Sequence, residues 1–161
     1  MPNTKYADLV DQVINLLGTV TDVGRLHRWD RVVSDQAVFQ DLFKFTPTGR
    51  QQAIMRGWTV SRSTTPADPS AFPEIHRTYT FVLRGYNSLQ DQAGSELVFN
   101  DLIENVMDTL DAERDLNGEA ELYGCGPTSL LVFEPRQFGS ILAHYCEIQY
   151  PVIVTSDVVF A

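Results

Sequence analysis

The sequence predicts an α+β fold in which a single mixed or antiparallel sheet packs against two main helices. Apolar residues recur every three or four positions in residues 4–17 and 95–113, which is the period of one face of a helix. Several other runs alternate apolar and polar residues, which is the period of a half-buried strand. A helical stripe and a sheet face must each be covered. We therefore expect one domain, residues 1–161, in which the helices cover the sheet.

The longest predicted helix, residues 95–113, gives the strongest signal. Ser95 can cap its first amides, and Asn117-Gly118 supplies a stop after its last turn. Its apolar stripe comprises Val98, Phe99, Leu102, Ile103, Val106 and Leu110.

The other side of this helix is acidic. Four carboxylates form one line, with no Lys or Arg between Leu97 and Glu113 to pair with them: Asp101, Glu104, Asp108 and Asp111. A solvated helix face is one interpretation. The other is a surface that meets a basic partner or repels a polyanion.

The first half of the chain contains a helix, an arginine-rich loop and two strands. Gly18 ends the helix of residues 4–17, and Ser34 can start a shorter helix that includes Phe43. Alternation predicts strands at residues 52–61 and 75–86. The proline-rich segment between them, residues 62–74, is predicted to be a long loop and a contact arm.

The second half ends in a predicted hairpin and an apolar tail. Strands are predicted at residues 128–134 and 140–150, joined by a turn at residues 135–139. Because proline interrupts a strand's hydrogen bonds, Pro151 is expected to end the last strand or to lie at a sheet edge. The remaining tail, residues 152–161, is expected to pair with another copy by β-augmentation.

Charge is divided unevenly along the chain. Residues 1–86 carry 10 basic and 8 acidic side chains, whereas residues 87–161 carry 2 and 13, for a net charge of -9. This balance disfavours binding to nucleic acid or to an anionic membrane surface. Unlike halves suit head-to-tail association into a ring. The candidate contact residues are Arg25, Arg28, Arg31, Arg56, Arg62, Arg77, Arg84, Val152, Val154, Val158 and Phe160.

We expect a soluble compartment, because the sequence shows no recognisable targeting signal. Only two cysteines are present, which fits a reducing cytosol and gives no disulfide framework. The first residues, MPNTKYADLV, lack the basic and apolar regions of a signal peptide, and no apolar run reaches the length of a membrane span.

Few residues in the sequence could form a catalytic or metal-binding site. Phosphate-loop, dinucleotide-binding, HExxH and GxSxG motifs are absent. Cys125, Cys146 and His144 could form a Cys2His zinc set, or Cys125 could act as a nucleophile with His144 as its base. A core cysteine, a strand histidine and a turn at Cys125 explain the same residues more simply. We therefore expect no catalytic site, metal or cofactor.

The order of these elements resembles the tail-terminator (tail-completion) proteins of long-tailed bacteriophages and, more distantly, phage neck proteins. The most informative run extends from ELVFNDLIENVMDTL, residues 96–110, to the hairpin SLLVFEPRQFGSILAHYCEIQYPV, residues 129–152. Residues 25–51 are a long insertion relative to the smaller members.

This resemblance implies a non-enzymatic virion protein, assembled in the host cytoplasm, that forms a hexameric ring. The ring would cap the tail tube, end its polymerisation and offer a face for joining to the head. Its partners would be further copies of itself, the tube protein and possible sheath or neck proteins. Genomic DNA would pass through a lumen lined by the acidic helix. A phage neck or head-completion protein is one alternative, and a small cytosolic enzyme or ligand-binding module is another.

Overall fold

The computed structural model describes residues 6–68 and 73–157, and these form the predicted α+β architecture. Three helices and a seven-stranded mixed sheet are present in these ranges. The helices are α1 (Tyr6–Leu17), α2 (Gln36–Leu42) and α3 (Ser95–Asp111). The strands are β1 (Arg25–His27), β2 (Lys44–Phe45), β3 (Ile54–Thr64), β4 (Ala67–Asp68), β5 (Glu74–Ser88), β6 (Ser129–Phe138) and β7 (Ile141–Asp157).

Two long antiparallel strands form the centre of the sheet. The strand order is β1-β3-β5-β7-β6, with β2 paired to β3 and β4 paired to β5. Of these pairs, β1 with β3 is parallel and the others are antiparallel. The β5–β7 ladder extends from Glu74 opposite Asp157 to Ser88 opposite Ala143. Both strands are therefore flanked on each side and bury most of their central residues.

The predicted helices α1 and α3 cover one face of the sheet. The apolar stripe of α3 is buried with that of α1 against β3, β5 and β7, as its period predicted, except that Val98 is 39% exposed. Trp58, on β3, is fully buried and donates its indole N–H to the Val23 carbonyl at 3.1 Å. The largest side chains of this core are Trp58, Tyr150, Phe81, Phe99, Leu9, Leu17, Leu83, Ile103, Leu110, Leu116 and Ile148.

The opposite face of the sheet carries a smaller aromatic core under α2. Asp35 caps this helix by accepting a hydrogen bond from the Val38 N–H at 3.1 Å, so the cap lies one residue after the predicted Ser34. The buried members of this second core are Phe39, Phe43, Met55, Tyr86, Ala143 and Tyr145. α2 and the preceding residues thus cover part of the second face.

Of the two expectations for Pro151, the end of the strand is wrong, because β7 continues to Asp157. The edge position agrees with the structure, because β6 pairs with β7 only as far as Gln149. The Pro151 carbonyl accepts a hydrogen bond from the Gly126 N–H at 2.8 Å, on the side away from β5. Since the N–H and C=O of one strand residue point to the same side, the missing N–H of Pro151 removes no bond to β5. Val152 and Val154 are consequently buried in the main core.

The predicted contact tail is therefore largely intrachain strand. Val152 and Val154 are withdrawn as contact candidates, since both pack inside the chain. Val158 and Phe160 lie outside the described residues.

The predicted loop at residues 62–74 is also partly strand. β3 continues to Thr64, and β4 pairs with β5 at Ala67 opposite Arg77. The long β5 offers backbone partners beyond β3, and the Thr78 N–H donates to the Pro66 carbonyl at 3.0 Å. Residues 69–72 lie outside the described ranges.

Two predicted boundaries shift for local reasons. Gly94, in the left-handed region at φ 67°, precedes α3 in the capping position. The Ser95 hydroxyl instead accepts a hydrogen bond from the Gln90 N–H at 2.7 Å and contacts His144. The hairpin turn lies at residues 139–140, because β6 continues through the predicted turn to Phe138.

Candidate functional site

The acidic line predicted on α3 lies on the outer side of the helical layer. Asp101, Glu104 and Asp108 are exposed, and none of their carboxylates forms a hydrogen bond or ion pair with a residue in the described ranges. The core stripe occupies the opposite side of the helix. Three carboxylates without cations therefore face outward together.

Asp111 differs from the other three acidic residues. Its carboxylate accepts hydrogen bonds from the Thr128 N–H at 2.7 Å and the Thr128 hydroxyl at 2.8 Å. These bonds tie the end of α3 to the residue that precedes β6. Asp111 has a structural role whatever the α3 surface binds.

Arg56 is withdrawn as a contact candidate because it is only 7% exposed. Its Nε donates to Asn87 Oδ1 at 2.8 Å, and its Nη1 donates to the Asp22 carbonyl at 3.1 Å. Burial lowers the pKa of Arg56, and the nearby Asp22 carboxylate acts in the opposite direction. This guanidinium joins β3 and β5 to the turn before β1.

The side chain of Arg84 is also held within the chain, by a network of hydrogen bonds and ion pairs. Its Nη1 donates to Asp30 Oδ2 at 2.7 Å and to Ser61 Oγ at 2.6 Å, and its Nε lies 3.4 Å from Glu147 Oε1. Asp30 further accepts from the Thr59 hydroxyl at 2.7 Å. The pKa of Arg84 is raised, because these carboxylates outweigh the opposing effect of burial. The network fastens the chain around residue 30 to the sheet.

The remaining predicted arginines lie at or near the surface. Arg28 pairs with Asp11 of α1 at 2.7 Å, Arg62 lies 4.6 Å over the Tyr6 ring, and Arg31 lies 5.2 Å over the Trp29 ring. Arg25 and Arg77 are exposed on β1 and β5. These arginines are spread over several elements.

A groove next to α2 was not predicted from the sequence. It has a volume of about 320 Å³, and its floor contains the rings of Phe39, Tyr86 and Phe138 with centroids 5.1 to 5.6 Å apart. Arg31 and Val32 line its rim, and Val32 is 93% exposed. We call this the aromatic groove. These aromatic residues come from three separate segments of the chain, and only the fold brings them together.

Polar side chains also line the aromatic groove. Tyr86 is 8% exposed, and burial raises its pKa to about 12, so the phenol is neutral at neutral pH. Its hydroxyl forms no hydrogen bond within the described part of the chain. A ligand in the groove would therefore meet three aromatic rings together with the polar side chains of Arg31, Ser34, Asp35 and Gln36.

A second unpredicted feature is an exposed apolar pair in the connection between α3 and β6. Leu122 and Tyr123 are 65% and 73% exposed. Tyr123 has a left-handed backbone, at φ 60°, and Arg114 lies 5.8 Å from the centre of its ring. We call this pair the Leu-Tyr knob. The adjacent Gly124 was a turn signal, but nothing local indicated that the pair projects outward.

The candidate catalytic residues are not brought together. Cys125 lies opposite Val152, whereas His144 lies opposite Asn87, about 27 Å away along β7 at 3.4 Å per residue. Burial raises the pKa of both Cys125 and Cys146, so both thiols are protonated at neutral pH. His144 is hydrogen-bonded to Ser95 at 2.8 Å.

Residues 6–68 and 73–157 contain neither a cluster of metal ligands nor a helix suited to a membrane span. No three His, Cys, Asp or Glu side chains in these ranges are grouped as metal ligands. No helix there combines the length and apolarity that crossing a membrane requires. No protein-family model matches the sequence, and a search of curated proteins gives no match.

Proposed function

We propose that this protein forms a hexameric ring that caps a bacteriophage tail tube, ends tube polymerisation and provides the face for head joining. The observation that carries the proposal is the outer face of α3, where Asp101, Glu104 and Asp108 are exposed without a described cationic partner. The resemblance of element order to tail-terminator proteins agrees with it.

The acidic face suits a lumen through which DNA passes. Like charges repel over roughly 8 Å at physiological ionic strength, so carboxylates at the wall discourage phosphate from binding there. Six copies would repeat the three carboxylates around the channel. DNA would then slide past the ring without a specific complex.

Assembly needs contact surfaces on two different sides of each subunit. The aromatic groove and the Leu-Tyr knob are separate exposed apolar features, and the acidic residues of the chain are concentrated in its second half. Contacts between unlike surfaces repeat head to tail and close into a ring when the rotation allows. This arrangement supports a ring-forming subunit better than an isolated enzyme.

The lumen is tested by reversing charge on α3. A variant with Asp101→Lys, Glu104→Lys and Asp108→Lys should form rings and cap tubes, yet yield particles with impaired DNA ejection. The control reverses Asp41 and Asp91, which are exposed on other elements. Normal ejection by the α3 variant would contradict the lumen assignment.

Tube capping is tested directly by adding the protein to growing tubes of the tail tube protein. Elongation should stop, and a ring should be visible at one tube end by electron microscopy. If tubes lengthen unchanged but the protein binds the head portal, the neck or head-completion function is supported instead.

A further inference from the structure

We propose that His27 and Arg31 form a pH-sensitive clasp, in which the neutral imidazole holds the Arg31 guanidinium in place and protonation of the imidazole releases it. The clasp lies at the start of residues 28–33, a segment with two exposed apolar side chains. Trp29 is 58% exposed and Val32 is 93% exposed. The clasp is independent of the ring proposed above.

The two hydrogen bonds of the His27 ring fix its tautomer. Nε2 lies 2.8 Å from the Leu42 carbonyl oxygen, and Nδ1 lies 3.3 Å from Arg31 Nη1. A carbonyl oxygen can only accept a hydrogen bond, and a guanidinium can only donate one. Nε2 therefore carries the proton and Nδ1 presents its lone pair, so this arrangement requires the neutral ring.

Protonation of His27 removes one of these bonds and keeps the other. A proton on Nδ1 would point at an N–H group of Arg31, so the hydrogen bond is lost and two cations face each other. The bond from Nε2 to the Leu42 carbonyl persists, because an imidazolium also donates there. His27 thus stays attached to the end of α2, and the group that leaves is the Arg31 guanidinium.

The surroundings of the ring oppose its protonation. Burial lowers the pKa of His27, the Leu42 carbonyl raises it, and the cations of Arg31 and Arg25 lower it. An unfolded histidine has a pKa of about 6.5. The stability that the neutral ring contributes is therefore present above about pH 6.5 and is lost as the pH falls through the lower pKa of the folded ring.

The charged residues on the elements next to His27 have other partners or lie in solvent. Asp30 accepts hydrogen bonds from Arg84 and from Thr59, which is opposite His27 on β3. Arg28 pairs with Asp11 of α1. At α2 and the strand after it, Asp35 caps the helix, and two further charged residues are exposed: Asp41 and Lys44.

Release of Arg31 would change the contacts that its guanidinium makes. Its Cζ lies 5.2 Å from the centroid of the Trp29 ring, within the range of a cation–π interaction, and the side chain lines the rim of the aromatic groove. Trp29 therefore reports on the clasp. Trp58 provides an internal control, since it is fully buried and bonded to the Val23 carbonyl.

The test is an NMR titration of the isotopically labelled protein from about pH 8 to about pH 5, a range that spans the usual pKa of histidine. The chain has three histidines, and the ring signals of His27 are identified by their loss from His27→Gln. At the highest pH the ring should be the Nε2–H tautomer. The indole signal of Trp29 should shift with the midpoint of His27, whereas that of Trp58 should not.

Two arginine variants form a matched pair. Both arginines lie on the same segment, but only Arg31 bonds to His27, whereas Arg28 bonds to Asp11. Arg31→Ala should raise the pKa of His27 and remove most of the Trp29 shift at its midpoint. Arg28→Ala should leave the pKa and the shift as in wild type.

Three results would overturn the clasp. They are an Nδ1–H tautomer at high pH, a pKa of His27 that Arg31→Ala leaves unchanged, and a Trp29 signal whose pH dependence does not follow His27. All three are measured on the free chain, so they leave the proposed ring standing. Failure of the protein to form a ring would equally leave the clasp standing.

Discussion

The guanidinium of Arg84 donates a 2.7 Å hydrogen bond to the carboxylate of Asp30, and this pair joins the centre of the sheet to the chain leading into α2. Both side chains are partly exposed. Because Asp30 directly precedes Arg31 at the rim of the aromatic groove, the pair helps to fix the position of that rim. Its loss should disturb assembly as well as stability.

We expect Asp30→Ala to lower the free energy of unfolding by about 1–2 kcal/mol, because hydrogen bonds to a charged group are lost but solvent reaches the site. Urea denaturation checks this value. The comparison is Asp11→Ala, which breaks the more exposed pair with Arg28 and should cost about 0.5 kcal/mol or less. Equal losses in the two variants would contradict the structural role of Asp30.

The core face of α3 can be tested with one substitution at two positions. Leu102→Ala should lower the free energy of unfolding by about 2–5 kcal/mol, because Leu102 is buried in the main core. Leu97→Ala on the outer side should change it by about 0.5 kcal/mol or less. Thermal melts of both variants measure the difference, and similar melting temperatures would show that the helix face is assigned wrongly.

The C-terminal part of β7 should matter for folding. Removing residues 152–161 exposes the core that Val152 and Val154 cover, so we expect a chain that fails to fold cooperatively. Val152→Ala should retain the fold and destabilise it by about 1–3 kcal/mol. Circular dichroism melts check both; a cooperative, wild-type melt of the truncated chain would refute the packing role of this segment.

Stability should fall on mild acidification partly through His144. Burial lowers the pKa of His144, with the Glu96 carboxylate acting in the opposite direction. The unfolded chain therefore binds a proton at higher pH than the folded one, and stability is lost as pH falls below about 6.5. Urea titrations at pH 7.5 and 5.5 should show a smaller loss for His144→Gln than for wild type. An equal loss would indicate that His144 does not contribute.

The helices could be predicted because their signals are local. The three- and four-residue period of Leu102, Val106 and Leu110 specifies a buried helix face whatever the rest of the chain does. The same period identified the outward position of Asp101 and Asp108. Local pattern was therefore sufficient for α3 and for its acidic face.

Burial of single side chains could not be predicted in the same way. Arg56 carries a charge yet is buried, with hydrogen bonds to Asn87 and Asp22. Val152 was expected at an intermolecular contact but packs in the main core. Each outcome depends on which distant strands pair. The aromatic groove likewise combines residues from three distant segments, so no spacing along the chain reveals it.

The most direct measurement is the mass of the protein by light scattering at rising concentration, with and without tail tubes. A hexameric ring predicts a species of six times the 18.1 kDa chain mass, in free solution at high concentration or at the tube ends. A single 18.1 kDa species at every concentration, with nothing retained on the tubes, would contradict the ring.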